Sequence, residues 1–289
     1  MLLIPEVLAE ELQLSLPNVQ NALNLYTEGA TVPFIARYRK EQTGEMNEIV
    51  LRNLFDRFEY LTELEERKTT IIESIKQQGK LTNELQQRIA ACLQKNELED
   101  LYLPFKPKRR TRATVAREKG LEPLAEIIGS YNQPRSHGEM PTFPGLQQLA
   151  EQYISIEKGV TTTQEALQGA SDILAESVAE KAELRSALRS YILNNASVSS
   201  VVKPDYPEGT TKFEMYRTYS AALRDIPPHN MLALRRGEAE EILTLSIDFD
   251  HDYILQYLES REIHSSEAEI VRYYKVMLKD AFERLMKFT

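Results

Sequence analysis

Cysteine and tryptophan are nearly missing from the 289 residues: Cys92 is the only cysteine, and tryptophan is absent. A single cysteine cannot form an intramolecular disulfide, so the composition favours a reducing compartment. The first residues, Met1–Glu6, carry no basic stretch before their short apolar run, which is not the pattern of a secretory signal. No apolar run approaches the ~20 residues that cross a bilayer. We therefore expect a cytoplasmic protein that does not enter a membrane.

Glycine and proline are also scarce, with 11 and 13 residues, which leaves long stretches without residues that break helices. Hydrophobic residues make up 42% and charged residues 27% of the chain, values typical of a folded globular protein. Leu, Glu, Gln, Ala, Lys and Arg dominate, and these side chains lose little entropy in a helix. The sequence therefore predicts a mostly helical chain of one or two domains.

Hydrophobic periodicity is clearest from Asn47 to Gln78, where apolar residues recur at three- and four-residue steps. Thr82 is a suitable N-cap for a partner helix that reaches Leu93, so the two predict a long helical hairpin. Residues 242–249 alternate and are rich in β-branched side chains, as in a strand. We predict an all-α fold with shorter helices around this hairpin and one short β element.

The stretch 194–209 contains serine, proline and glycine with little periodicity, and we interpret it as a linker. It divides a helical domain, 1–195, from a second, mostly helical segment, 196–289. Capping boxes at Thr162 and Ser266 predict a long helix to about Leu193 and a last helix that runs on to Phe288. Another helix is expected at 213–223. Because the last pattern has no stop signal, we expect a piece of a longer protein.

The most informative charge feature is a basic segment inside an acidic chain, whose formal net charge is −9. Only Glu118 opposes its seven cations: Lys106, Lys108, Arg109, Arg110, Arg112, Arg117 and Lys119. Pro104 and Pro107 exclude a regular helix at its start, so we expect it to begin on a stiff loop. Clustered cations gain from counterion release on a phosphate backbone. The alternative is pairing with acids such as Glu97 and Glu99, or with another domain.

A second, smaller group of cations consists of Arg37, Arg39 and Lys40, beside Phe34, Ile35 and Tyr38. They could extend a nucleic-acid-binding surface. The alternative, which the short proline-bounded helix favours, is an element anchored by its aromatic residues whose arginines bridge neighbouring helices through ion pairs.

Residues that could support catalysis or bind a metal are few. Asp248, Asp250, Asp252 and Glu259 match positions of a calcium-binding loop, but Tyr253 stands where the loop needs glycine. An acidic helix N-terminus explains them better. The four histidines show no metal-binding spacing, and no nucleophile elbow or phosphate-binding glycine loop is present. We expect no enzyme activity, no cofactor and no metal.

Three segments together indicate a family. They are Val32–Glu41 followed by Thr43-Gly44, Leu101–Arg112 continued by Ala116–Leu124, and Ile226–His229 with Leu232–Glu238. They resemble blocks of the Tex family of bacterial transcription accessory proteins, although Asn230 stands where that family's pattern suggests arginine. The resemblance implies a scaffold with helix-turn-helix-like character, followed in longer members by an RNase H-like domain, helix-hairpin-helix elements and an RNA-binding OB-fold.

The hypothesis that follows is a non-catalytic helical scaffold of a transcription accessory protein. In it, residues 106–119 make auxiliary contacts to the phosphate backbone of RNA or DNA, weakly and without reading sequence. The alternative is a protein-interaction module that docks on RNA polymerase or on other domains of the same protein.

Overall fold

The computed structural model describes residues 3–106, 110–133 and 143–287, and 14 α-helices form most of this part. The expectation of a predominantly helical fold is confirmed. The chain forms two units, residues up to 107 and residues from 108 onward. Within the described ranges, no helix is both long and apolar enough to span a membrane.

Six helices lie in the described part of the first unit. They are α1 (Ile4–Glu11), α2 (Leu16–Thr27), α3 (Val32–Tyr38), α4 (Glu48–Gln77), α5 (Asn83–Ala91) and α6 (Lys95–Tyr102). The predicted helical hairpin is α4 and α5, with Gly79 in the left-handed region between them at φ +69°. Thr82 caps α5 as predicted, since its side-chain oxygen accepts a hydrogen bond from the Leu85 amide at 3.2 Å.

The hairpin is held by apolar packing and by one buried cation. Leu51, Leu54 and Ile71 are fully buried on one face of α4. Lys68 is buried on the same helix, and its ammonium donates hydrogen bonds to Glu65 at 2.8 Å and to the Ala90 carbonyl of α5 at 2.9 Å. A buried charge needs such partners, so Lys68 fixes where the end of α5 lies against α4.

Among the described residues of the second unit, eight helices are formed. They are α7 (Arg112–Glu118), α8 (Glu122–Tyr131), α9 (Leu146–Glu151), α10 (Thr163–Ala179), α11 (Ala182–Asn195), α12 (Pro228–Ala239), α13 (His251–Glu262) and α14 (Ala268–Asp280), the last continued by a π-helical turn at Ala281–Met286. The core lies around α10, where Ala166, Ala170 and Ala175 are fully buried. These small side chains let neighbouring helices approach α10 closely.

The long helix predicted from Thr162 is two helices, with a break at Lys181, whose backbone is extended. The Lys181 ammonium donates hydrogen bonds to both carboxylate oxygens of Glu262, at 2.7 and 2.8 Å. Such a tertiary ion pair leaves no local signal. The capping box predicted at Ser266 is also wrong, because α14 begins two residues later, at Ala268, and has no side-chain cap.

A small antiparallel sheet stands between α11 and α13 in the sequence. Its strands are β1 (Ser197–Val202), β2 (Thr218–Ala222) and β3 (Leu243–Asp248), in the order β2-β1-β3. The strand predicted at 242–249 is confirmed as β3. The predicted linker at 194–209 instead contains the central strand, and the helix predicted at 213–223 is a 3-10 turn followed by β2. The serines of β1 obscure its strand pattern in the sequence. In the structure Ser200 is buried, and its hydroxyl donates a hydrogen bond to the Tyr216 carbonyl at 2.6 Å.

Helix α12 packs on this sheet through Gly237. A β-carbon at Gly237 would lie 2.5 Å from Cδ1 of Leu243 and 3.2 Å from Cδ1 of Phe213. Real β-carbons do not approach other atoms as closely as the first distance, so any larger residue here would force the Leu243 side chain to shift.

We expect Gly237→Ala to lower the free energy of unfolding by about 1–3 kcal/mol, because overpacking outweighs the gain in helix propensity. Urea denaturation followed by circular dichroism measures this. The matched control is Gly129→Ala in α8, where the nearest atoms to an added β-carbon are 3.9 Å away. That variant should be neutral or slightly more stable, and equal stability of the two variants would contradict the close packing.

Candidate nucleic-acid interface

The seven basic residues predicted as a site do not share one loop. Lys106 belongs to the first unit, where Glu99 is among the acids near it, while Lys108 and Arg109 lie outside the described residues. The segment from Arg112 to Glu118 is the helix α7. Thr111 caps α7, since its hydroxyl accepts a hydrogen bond from the Thr114 amide at 3.0 Å.

Arg117 forms ion pairs within the second unit. Its guanidinium donates to the buried Glu176 carboxylate of α10 at 2.7 Å and to Glu122 at 3.3 Å. The Thr111 hydroxyl donates to the other oxygen of Glu176 at 2.9 Å. One buried carboxylate therefore holds α7 near both of its ends.

The acids that the sequence offers as partners of the basic segment are partly occupied elsewhere. Glu99 accepts two hydrogen bonds from Arg67, at 2.7 and 3.1 Å. These hydrogen bonds, with the Arg67 charge, lower the pKa of Glu99 from its usual value although burial opposes the shift. Glu99 therefore serves mainly to join α6 to α4.

Three further cations line the solvent side of α7. Arg110 pairs with Glu118 at 2.8 Å, and both side chains are more than half exposed. Arg112 is exposed and makes no hydrogen bond to any residue that the structure describes, although it lies in the field of Asp172. Lys119 donates to the Gly159 carbonyl at 2.8 Å. An exposed pair such as Arg110–Glu118 contributes little to stability, so Arg110 can exchange Glu118 for another anion at little cost.

Lys158 joins these cations from a distant part of the sequence. Ser155 and Val160 exchange backbone hydrogen bonds of 2.9 Å and close a tight turn that carries Lys158. The turn lies against α7, because a β-carbon at Gly120 would be 3.0 Å from the Lys158 ammonium. The sequence around Lys158 does not indicate a site, because Lys158 joins these cations only through a contact with Gly120, almost forty residues away. Arg110, Arg112, Lys119 and Lys158 together are called the α7 basic surface.

The second predicted group surrounds α3 in the first unit and is called the α3 surface: Phe34, Arg37, Tyr38, Arg39 and Lys40. Phe34 and Tyr38 are 41% and 66% exposed, with ring centroids 5.4 Å apart. Arg39 lies 5.4 Å from the centroid of Phe34, Lys40 pairs with Glu45 at 3.5 Å, and Arg37 is exposed.

Arg37 and Arg39 do not form the expected ion pairs with neighbouring helices in the part of the chain that the structure describes. Among the described residues, neither Arg37 nor Arg39 has a carboxylate partner. Ile35, which is fully buried, anchors α3, whereas the aromatic side chains that were expected to do so face solvent. The ion-pair interpretation of Arg37 and Arg39 is therefore wrong, and the aromatic side chains are displayed together with cations.

The acidic run after β3 forms a helix N-terminus, as its sequence favours. Asp250 caps α13 by accepting a hydrogen bond from the Tyr253 amide at 2.9 Å, and Asp248 accepts one from Ser199. No group of three His, Cys, Asp or Glu side chains within the described ranges could hold a metal ion.

Comparison with known proteins assigns the family. Residues 3–76 match the Tex-like protein N-terminal domain, and residues 145–284 match the Tex central region. The chain belongs to the Tex family. The α3 surface lies inside the first match, whereas the segment 106–119 lies between the two, so neither match bears on its role.

Relatives in this family are longer than the chain. It is 45% identical to "Protein YhgF" of Escherichia coli over 86% of the chain, and 40% identical to "Transcriptional accessory protein Tex" of Neisseria gonorrhoeae over a similar share. It covers 31% of each of these proteins. It is also 26% identical to the human "S1 RNA-binding domain-containing protein 1", of which it covers 28%. The chain thus spans about a third of the length of these relatives.

Asn230 is where this Tex chain departs from the expected arginine. Its side-chain oxygen accepts a hydrogen bond from the Tyr216 hydroxyl, and its amide donates to the Tyr219 hydroxyl, each at 3.1 Å. Asn230 therefore joins α12 to the sheet, which gives the residue a structural role of its own.

We expect Arg117→Met to destabilise the second unit by about 1–3 kcal/mol, because it removes the charged partner of the buried Glu176. The double variant Arg117→Met, Glu176→Met should recover part of this loss, since no buried charge then lacks its partner. Thermal and urea unfolding of both single variants and the double variant measures the coupling. Additive losses would contradict the pairing.

Proposed function

We propose that the chain is a helical scaffold of a transcription accessory protein and that the α7 basic surface makes auxiliary contacts to a nucleic-acid phosphate backbone. The observation that carries the proposal is the display of Arg110, Arg112, Lys119 and Lys158 on one face, in a protein of net charge −9. Lys106, Lys108 and Arg109 of the same sequence segment are proposed as further phosphate contacts in their own right.

Electrostatics supports a contact that positions a nucleic-acid strand without recognising its base sequence. Lys and Arg that neutralise phosphates release counterions, and this gain does not depend on base sequence. Arg110 and Arg112 each offer a planar fork of donors that matches a phosphate. Because the remainder of the chain is acidic, the attraction is local and favours one orientation of the strand.

The names of the relatives support a role in transcription or RNA binding, but they do not identify the residues involved. One is named a transcriptional accessory protein and another an S1 RNA-binding domain-containing protein. We propose the same process for this chain, with RNA as its ligand and without catalysis.

Charge reversal tests the α7 basic surface. We expect the triple variant Arg110→Glu, Arg112→Glu, Lys158→Glu to weaken binding of labelled single-stranded RNA and to reduce the slope of log K against log salt by about 2, since up to three phosphate contacts are lost. Fluorescence anisotropy at several salt concentrations, with RNA and DNA, measures both quantities.

The control reverses the same number of charges elsewhere in the second unit: Arg224→Glu, Arg235→Glu, Arg236→Glu. These three side chains are exposed near and on α12. If the control lowers affinity and slope as much as the test variant, net charge alone explains the binding. Unchanged affinity and slope in the test variant would exclude the proposed contact.

The α3 surface favours a second function, docking on a protein such as RNA polymerase or on other parts of a longer chain. Two exposed aromatic rings with adjacent cations are typical of protein interfaces, where Tyr, Phe and Arg are enriched. The exposed Phe34 and Tyr38 would form its centre, with Arg37, Arg39 and Lys40 around them.

Phe34→Ser with Tyr38→Ser tests docking. We expect the variant to lose binding to purified RNA polymerase in a nuclease-treated pull-down while its RNA affinity stays unchanged. Ile49→Ser, which alters another exposed apolar side chain of the same unit, is the control. Retained polymerase binding in the double variant, or no binding by the unmodified protein, would contradict this function.

A further inference from the structure

A cavity of about 450 Å³ lies between α7 and α10, next to the α7 basic surface. Its floor is apolar and consists of Val115, Ala116, Leu121 and Gly169. Cavities of this size bind small organic ligands in many proteins. Leu121 packs closely on Gly169, where a β-carbon would lie only 2.3 Å from Cδ1 of Leu121.

The mouth of the cavity is positively charged. Arg110, Arg112 and Lys119 line it, and the exposed amide of Gln168 lies on the opposite wall, on α10. A ligand with a flat apolar body and an anionic group would therefore satisfy the floor and the mouth together. An amide supplies both a donor and an acceptor, which suits the edge of a nucleobase.

Two acids also line the cavity, but both are engaged within the fold. Glu165 accepts hydrogen bonds from the Thr161 amide at 2.6 Å and from its hydroxyl at 2.8 Å. Asp172 is buried and pairs with Arg284 at 3.2 Å. The lining therefore carries three cations against these two acids, and its net positive charge favours an anionic group on the ligand.

We propose that this cavity binds one unstacked nucleotide of a single-stranded nucleic acid, with the base on the apolar floor and the phosphate at Arg112 and Lys119. The inference rests on the proposed function, because the strand would be the same one that the α7 basic surface holds. A paired base in a duplex cannot enter without leaving its stack. The cavity therefore makes the contact selective for single strands, which charge alone does not.

Methyl NMR tests occupancy directly. We expect the Val115 and Leu121 methyl resonances to shift on addition of oligouridylate, but not on addition of a short RNA duplex or of inorganic tripolyphosphate, which carries charge without a base. UMP distinguishes the source: shifts with UMP show that a free nucleotide suffices, whereas shifts with oligouridylate alone show that neighbouring phosphates are needed. Equal shifts with tripolyphosphate, or none with either nucleotide probe, would overturn the inference.

Two variants separate the cavity from the surface charge. Gln168→Glu places a negative charge at the mouth and should weaken oligouridylate binding about fivefold, with little effect on duplex binding. Gln148→Glu, the same change at an exposed position of α9 outside the cavity, should leave both unchanged. Val115→Phe, which fills the cavity without changing charge, should lower affinity for oligouridylate and leave the salt slope intact.

The outcomes also distinguish this inference from the proposed function. If the Gln168 and Val115 variants bind oligouridylate normally while reversal of Arg110, Arg112 and Lys158 weakens it, the surface contact stands and the cavity site fails. If the charge reversal has no effect either, both fail.

Discussion

Glu176, buried in α10, accepts hydrogen bonds from Thr111 at one end of α7 and from Arg117 at the other. Helix α7 has only seven residues, and an isolated helix of that length is not stable in water. Its position and its order therefore come from α10. Since Arg110, Arg112 and Lys119 are carried on or beside α7, the arrangement of the basic surface depends on this one carboxylate.

Close approach between α7 and α10 requires small residues at their contact. Ala113 and Ala116 are buried on α7, and Ala166, Gly169 and Ala170 are buried on α10 at helical spacing. Larger side chains would hold the two helices apart or fill the space between them. The same small residues leave the cavity beside Val115 and Leu121, so the packing that stabilises α7 also creates the candidate site.

Elements with strong local signals could be predicted from the sequence, and elements defined by distant contacts could not. The α4–α5 hairpin was predictable because its apolar stripe, its Thr82 cap and Gly79 all lie within the segment itself. Strand β1 was not, because its serines are stabilised by neighbours such as Tyr216, whose carbonyl accepts the Ser200 hydrogen bond. The candidate site divides in the same way. The cations near α7 were visible as a run of charge, whereas Lys158 and the cavity walls on α10 become neighbours only through folding.

The role of each cation follows from the interactions that it would lose on binding a phosphate. Arg117 would leave Glu176 buried without its charged partner, and the desolvation cost of that carboxylate exceeds what an exposed phosphate contact returns. Arg110 would exchange only a solvent-exposed pair with Glu118, which contributes little to stability. Arg112 would give up no hydrogen bond to a described residue. Neighbouring arginines of one basic segment thus differ in function because of the burial of the acids they face, a property that charge counting along the sequence does not contain.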